Sequence, residues 1–159
     1  MTIWGGSSIE KVTFDYITNS VKHGSTMVEL GAGVVSTREF SKIFNLYSVE
    51  QDIKYCGIYQ NVKYIHAPLV NGWYNIEILN KELHLQISCI FVDGPAGSGN
   101  RNGLFENIKL FNLTDDAIII FHDTYRAEEL MLAEKISNKL GMKIKLFSEG
   151  DYFAVLSFQ

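Results

Sequence analysis

The chain has 159 residues, 47% of them apolar and 20% charged, with a formal net charge of −4. That length and apolar content build one core and therefore a single domain over 1–159. The acidic balance argues against the net basic face that a duplex nucleic-acid binder needs, though it leaves room for local basic patches, and no nucleic-acid partner is expected.

The two cysteines, Cys56 and Cys89, sit in apolar surroundings without metal-ligand spacing and read as buried thiols of a reducing compartment. The first eight residues lack the basic and apolar regions of a signal peptide. No stretch is long enough to span a membrane. A soluble, cytoplasmic protein is the expectation.

In chain order, Ser7 and Glu10 have capping-box spacing, and Ile9, Val12, Phe14, Ile17 and Val21 approximate a helical stripe. A helix is predicted over 8–22, closed by Gly24. Trp4, beside a glycine pair, is a candidate for a site mouth or an edge anchor. Residues 27–30 form a short apolar run, read as a buried strand. It breaks at Gly31-Ala32-Gly33, where glycine permits positive φ and close backbone approach. Ser36 and Glu39 again have capping-box spacing, so the next helix is expected to start there and to aim its free N–H groups at the glycine turn. Strand, glycine turn and helix start make a nucleotide-cofactor cradle. The third glycine of the dinucleotide fingerprint is absent, with Ser at position 36, which weakens a pyrophosphate site. A second strand, 45–49, leads into Glu50, an acid placed to accept the two hydroxyls of a ribose.

Residues 52–59 read as a short helix and 62–66 as a third strand. His66, at the end of that strand, is a candidate to approach a base. Residues 69–85 are placed only as loop and helix. The run 86–92 is the most apolar strand and ends in Asp93. Residues 94–103 contain four glycines and no large apolar side chain. A loop of that length at a carboxyl strand end is a lid candidate, with Arg101 suited to a carboxylate or phosphate on an acceptor or on a partner. Then follow a helix over 104–113 and a fifth strand over 117–121. A helix over 125–140 comes next, capped by Thr124, striped by Leu130, Ala133, Ile136 and Leu140, and ended by Gly141. Residues 142–147 and 152–158 read as an antiparallel hairpin.

Glu29-Leu30-Gly31-Ala32-Gly33, then Ser36-Thr37, then Ser48-Val49-Glu50-Gln51-Asp52 resemble motifs I and II of the class I S-adenosylmethionine (SAM)-dependent methyltransferases. Val92-Asp93-Gly94-Pro95 and His122-Asp123-Thr124-Tyr125-Arg126 resemble the subgroup of glucuronoxylan 4-O-methyltransferases and related glycan O-methyltransferases. The likeness covers about 27–130. It implies an α/β fold with one doubly wound, Rossmann-like sheet of order 3-2-1-4-5-7-6, whose last strand is reversed in a C-terminal antiparallel hairpin. It further implies SAM at the switch point between strands one and four. The cofactor residues would be Glu29, Gly31, Ala32, Gly33, Ser36, Thr37, Glu50, Gln51 and Asp93. The subgroup implies methyl transfer beside Asp93, His122 and Asp123. Against the subgroup, the chain lacks a long N-terminal region and carries Gln51 where a different polar residue is common.

Methyl transfer is an in-line displacement, and an alcohol acceptor must also lose a proton, to a general base or through a metal. Asp93 and Asp123, with Thr124, are candidates to hold Mg²⁺ or another divalent ion. Without metal, His122 or Asp123 is the candidate base. Arg101 and Arg126 are the candidates for binding the acceptor, a sugar, glycan or other small hydroxyl compound. A second subunit could complete so short a chain as a homo-oligomer. Two other classes stay open: an NAD(P)-dependent Rossmann oxidoreductase, and a non-catalytic SAM-binding module.

Overall fold

The computed structural model describes residues 1–6, 8–97 and 99–158; Ser7, and with it the first capping box, lies outside the described residues, as does Ser98. Seven strands form one sheet. In chain order its members are β1 (Thr26–Leu30), β2 (Asn45–Glu50) and β3 (Lys63–His66), then β6 (Gln86–Val92), β7 (Asn112–His122), β8 (Lys143–Phe147) and β9 (Phe153–Ser157). A separate small hairpin pairs β4 (Leu69–Val70) with β5 (Trp73–Tyr74). The sheet order is β3-β2-β1-β6-β7-β9-β8. The first five strands run parallel, and β9 is antiparallel to both neighbours. With the small hairpin set aside, this is the expected 3-2-1-4-5-7-6 order.

The sheet is covered on both faces, which is why its central strands are apolar without a break. Alternate residues go to opposite sides. Val28, Leu30, Ile90 and Val92 join a core with α3 (Ile76–Glu82), α4 (Gly103–Asn107) and α5 (Ala127–Leu140). Met27, Cys89 and Phe91 join the other, with α1 (Lys11–Ser20) and α2 (Val34–Phe40). Among the described residues no helix is long and apolar enough to cross a membrane.

Several boundaries differ from the sequence reading, each for a local reason. α1 is shorter than 8–22 and closes at Val21, whose N–H reaches the Ile17 carbonyl, ahead of Gly24. α2 begins at Val34, with Gly33 as its N-cap, so Ser36 and Glu39 lie inside the helix and form no capping box. Ser36 is drawn to Glu29, and Glu39 is taken by Arg38, Lys42 and Thr2. Residues 52–59 yield only a 3₁₀ turn, Ile53–Tyr55, capped by Asp52. The helix expected over 104–113 stops at Asn107, continues as a 3₁₀ turn, Ile108–Leu110, and gives way to β7 at Asn112. Thr124 does not cap α5; Arg126 holds the N-cap position by backbone alone. The inner face of α5 is Glu129, Leu132, Ala133, Ile136 and Ser137, with Leu130 and Leu140 only partly buried. Gly141 ends it at φ +67, in the left-handed region that glycine favours. Cys89 is buried as expected, but Cys56 is half-exposed.

At the centre, β1 and β6 end side by side and their following turns touch. A Cβ on Gly31, at φ +93, would come within 2.8 Å of the Asp93 carbonyl oxygen; one on Gly94 would meet Gly31 Cα at 2.8 Å and collide with the Tyr74 hydroxyl. Two glycines thus let two strand-end turns close over one another. Gly94→Ala is expected to destabilise the fold by about 1–3 kcal/mol through overpacking, read as a lower midpoint of thermal unfolding. An unchanged midpoint would mean that the turns separate freely.

Candidate functional site

The carboxyl ends of β1, β2, β6 and β7 open into one cavity of about 960 Å³, which runs from the Gly31–Gly33 turn and Glu50 across Asp93 to Asp123, Arg126 and Glu129. Glu29, next to the last residue of β1, is fully buried and does not line the cavity. The carboxylate of Glu29 accepts hydroxyl hydrogen bonds from Ser36 and Thr37 of α2, the latter at 2.6 Å, and from Ser48 of β2 at 2.8 Å. Thr37 Oγ1 in turn accepts the Gly33 N–H at 2.9 Å. Glu29, Ser36 and Thr37 therefore lie beneath the cavity and shape the glycine turn. Burial pushes the Glu29 carboxyl up to about 7, against the opposing pull of its three hydroxyl donors.

Glu50 stands at one end. Its two carboxylate oxygens accept the backbone N–H groups of Ala32, at 3.0 Å, and Asp52, at 2.8 Å. Each oxygen keeps a second lone pair. This fixes the acid against the glycine turn while leaving acceptor capacity for a pair of hydroxyls. Gln51 lines the same end, and its carbonyl lies 3.2 Å from His66 Nε2.

The opposite end is a dense ionic cluster. His122, the last residue of β7, is buried, and its Nδ1 lies 3.3 Å from Asp123 Oδ1 and 3.6 Å from Asp93 Oδ1. Its Nε2 lies 3.3 Å from Asp151 Oδ2. These are ion-pair distances, and neither ring nitrogen makes a well-aligned hydrogen bond. Burial alone would lower the His122 pKa, but Asp151, Asp93 and Asp123 outweigh it and hold the ring up to about 10. At neutral pH His122 is an imidazolium, which has no lone pair to take a proton. Asp123 adopts φ +59, uncommon for a side-chain-bearing residue and tolerated best by Asp and Asn.

The two arginines differ. Arg101 is mostly buried; its guanidinium donates to the Asp93 carbonyl at 2.9 Å and pairs with Glu129 at 3.2 Å and the Asp93 carboxylate at 3.8 Å. The segment it belongs to is anchored as well, because the Asn100 N–H reaches the Gly72 carbonyl at 2.6 Å. Asn100 thus ties this part of the expected lid to the turn of the β4–β5 hairpin. Arg126 is half-exposed, lies 3.4 Å from Asp123 and donates to the Tyr125 hydroxyl, so its guanidinium faces the open end.

Asp93, His122 and Asp123 bring one donor each within 4.8 Å of one another. The set does not fit Mg²⁺, which takes an all-oxygen octahedron. Both carboxylates also lie beside arginines, Asp93 at 3.8 Å from Arg101 and Asp123 at 3.4 Å from Arg126. Thr124 is buried, with its N–H on the Tyr152 carbonyl. A nitrogen-tolerant ion would have to displace the His122 proton.

Two acids that sequence reasoning missed belong here. Glu129, buried on α5, pairs with Arg101. Its spacing matches the inner face of α5, but an acid on that stripe reads as solvent-facing. Asp151, in the β8–β9 turn, pairs with His122, and a polar turn carries no local sign of that.

No family model and no curated relative matches the sequence. Solved structures do. An rRNA methylase from Streptococcus thermophilus is 13% identical with a TM-score of 0.62, over 92% of this chain and 93% of that one. A putative caffeoyl-CoA O-methyltransferase from Staphylococcus aureus is 16% identical with a TM-score of 0.61, over 94% and 84%. The fold is that of the class I methyltransferases. A third structure with this methyltransferase fold, Aeropyrum pernix fibrillarin with natively bound SAM, is 14% identical with a TM-score of 0.57, over 86% and 68%.

The raised pKa of Glu29 makes a sign-definite prediction. A carboxyl whose folded pKa exceeds its unfolded value of 4.5 contributes stability that is full below that value and lost as pH rises through about 7. Between pH 5 and pH 8 the wild-type melting midpoint should therefore fall more than that of Glu29→Gln, which cannot ionise. Parallel profiles would mean that the three hydroxyls compensate the buried charge fully.

Proposed function

We propose that the chain is a SAM-dependent O-methyltransferase acting on a hydroxyl of a sugar, glycan or other small polar acceptor. The observation that carries this is the polarity of one cavity: an acid held for ribose hydroxyls at the Glu50 end, a glycine turn in the middle, and the Asp93–His122–Asp123 cluster at the other end. The adenosine of SAM would lie along Gly31–Gly33 with its ribose on Glu50. The sulfonium methyl would then face Asp93 and Asp123.

Bound there, SAM would supply the methyl group: the acceptor oxygen would take it from the sulfonium as the carbon–sulfur bond breaks, releasing S-adenosylhomocysteine. The hydroxyl proton passes to Asp123 or Asp93. His122, held as imidazolium, steadies both carboxylates rather than acting as the base. Arg126 and the exposed rings of Tyr125 and Tyr152, 6.1 Å apart, suit an acceptor with both polar groups and a ring face. The reversed β9 strand argues against a nicotinamide-binding Rossmann domain, whose strands continue parallel.

The test is a binding titration followed by an acceptor screen that reads release of S-adenosylhomocysteine, with RNA as a control acceptor. SAM and S-adenosylhomocysteine should bind and NAD should not; the reverse preference would remove this reading. Glu50→Ala should weaken cofactor binding by about 1.5–3 kcal/mol, the range for hydrogen bonds to a charged group. Asp123→Ala should leave it within a few-fold and lower turnover by about 10²–10⁴, while turnover of the wild type persists in chelator. Binding without turnover on any acceptor would leave the non-catalytic SAM-binding module.

A further inference from the structure

His122 is held from two sides, and only one side faces the cavity. Behind it, Asp151 comes from the turn between β8 and β9 and is nearly as buried as the imidazole. Oδ2 of Asp151 lies 3.3 Å from His122 Nε2 and accepts the hydroxyl of Thr13, a fully buried residue of α1. Oδ1 accepts the Tyr152 N–H at 2.7 Å. These contacts fix the carboxylate from two elements outside the strand that carries His122.

We infer that Asp151 is a positioning residue: by holding Nε2 it turns Nδ1 of His122 toward Asp93 and Asp123 and keeps the three groups facing the transferred methyl. The role rests on the methyltransferase reading, but the geometry behind it does not. Asp151 touches neither end of the cofactor cavity, since it does not line that cavity; it lines a smaller one, of about 360 Å³, behind His122. Its effect on chemistry must pass through the ring. An imidazole with an acceptor on one side only can rotate and carry its cavity-facing nitrogen away. Paired carboxylates deprived of the imidazolium between them repel one another.

The experiment compares wild type with Asp151→Asn, Asp151→Ala and Thr13→Val. The first readout is the His122 ring in side-chain NMR of the free protein, assigned by the signals lost in His122→Gln. Wild type should give one ring orientation. Asp151→Ala should give broadened or doubled ring signals, and Thr13→Val a smaller change in the same direction. The second readout is calorimetry with S-adenosylhomocysteine, whose Kd should stay within about two-fold in all folded variants. The third is turnover on an acceptor found by the screen, where Asp151→Ala should lower kcat by about 10²-fold or more at little change in acceptor KM, and Asp151→Asn, which keeps an acceptor for Nε2–H, by less. A single unshifted ring orientation in Asp151→Ala, or a kcat that falls only in step with cofactor affinity, would overturn the inference. No turnover with any acceptor would overturn the methyltransferase reading instead, and the ring signals would still decide the role of Asp151.

Discussion

A buried carboxylate near the carboxyl end of β1 ties together the elements that frame the glycine turn. Glu29 sits in β1, yet its hydrogen bonds reach α2 and β2, so the three elements that frame the glycine turn meet on two oxygen atoms. An isolated buried carboxylate costs far more than a hydrogen bond returns, and it persists only where several donors converge on it. Ser36, Thr37 and Ser48 are those donors. Their convergence starts α2 at Val34, directly after the turn, and leaves Gly33 N–H on Thr37. The turn then presents Ala32 N–H to Glu50, which fixes the acid at the far end of β2. One buried acid thus sets the position of a second, exposed to the cavity.

The other end of the cavity follows a different logic. Four acids, Asp93, Asp123, Glu129 and Asp151, interleave with three cations, Arg101, Arg126 and His122. Removing one partner from such a set leaves an uncompensated charge in a partly dry site, so the groups hold one another in place even where no pair adds much stability. The cost of assembling them, including the positive φ of Asp123, is what a site does and a core does not do. Arg101 spends its guanidinium on the protein, leaving Arg126 as the cation facing outward.

Much of this was legible in the sequence, and the exceptions share a cause. β6 was read residue for residue because an uninterrupted apolar run bounded by polar residues admits little else. The reversed final strand followed from the hairpin pattern of the last two strands. The start of α2 was misread because Ser36, an apparent cap, is recruited by Glu29 from another element. The start of β7 was misread because Asn112, Asp115 and Asp116 are poor strand formers; only Asn112 and Leu113 pair there, with Gln86 and Ile87, before the register shifts and pairing resumes at Ile118. The β4–β5 hairpin carried a signal that was passed over: Asn71-Gly72, both at positive φ, is the sequence of a two-residue turn between short apolar runs. Asp151 had no such signal, since its partners Thr13 and His122 are remote in the chain and meet it only in the fold.

The central claim is directional: one end of the cavity takes the ribose and the other takes the methyl. A crystal structure with S-adenosylhomocysteine tests it most directly. The account requires the ribose hydroxyls on Glu50 and the sulfur turned toward Asp93 and Asp123. A ligand lying the other way round, with its adenosine among Asp93, His122 and Asp123 and its sulfur by Glu50, would contradict it.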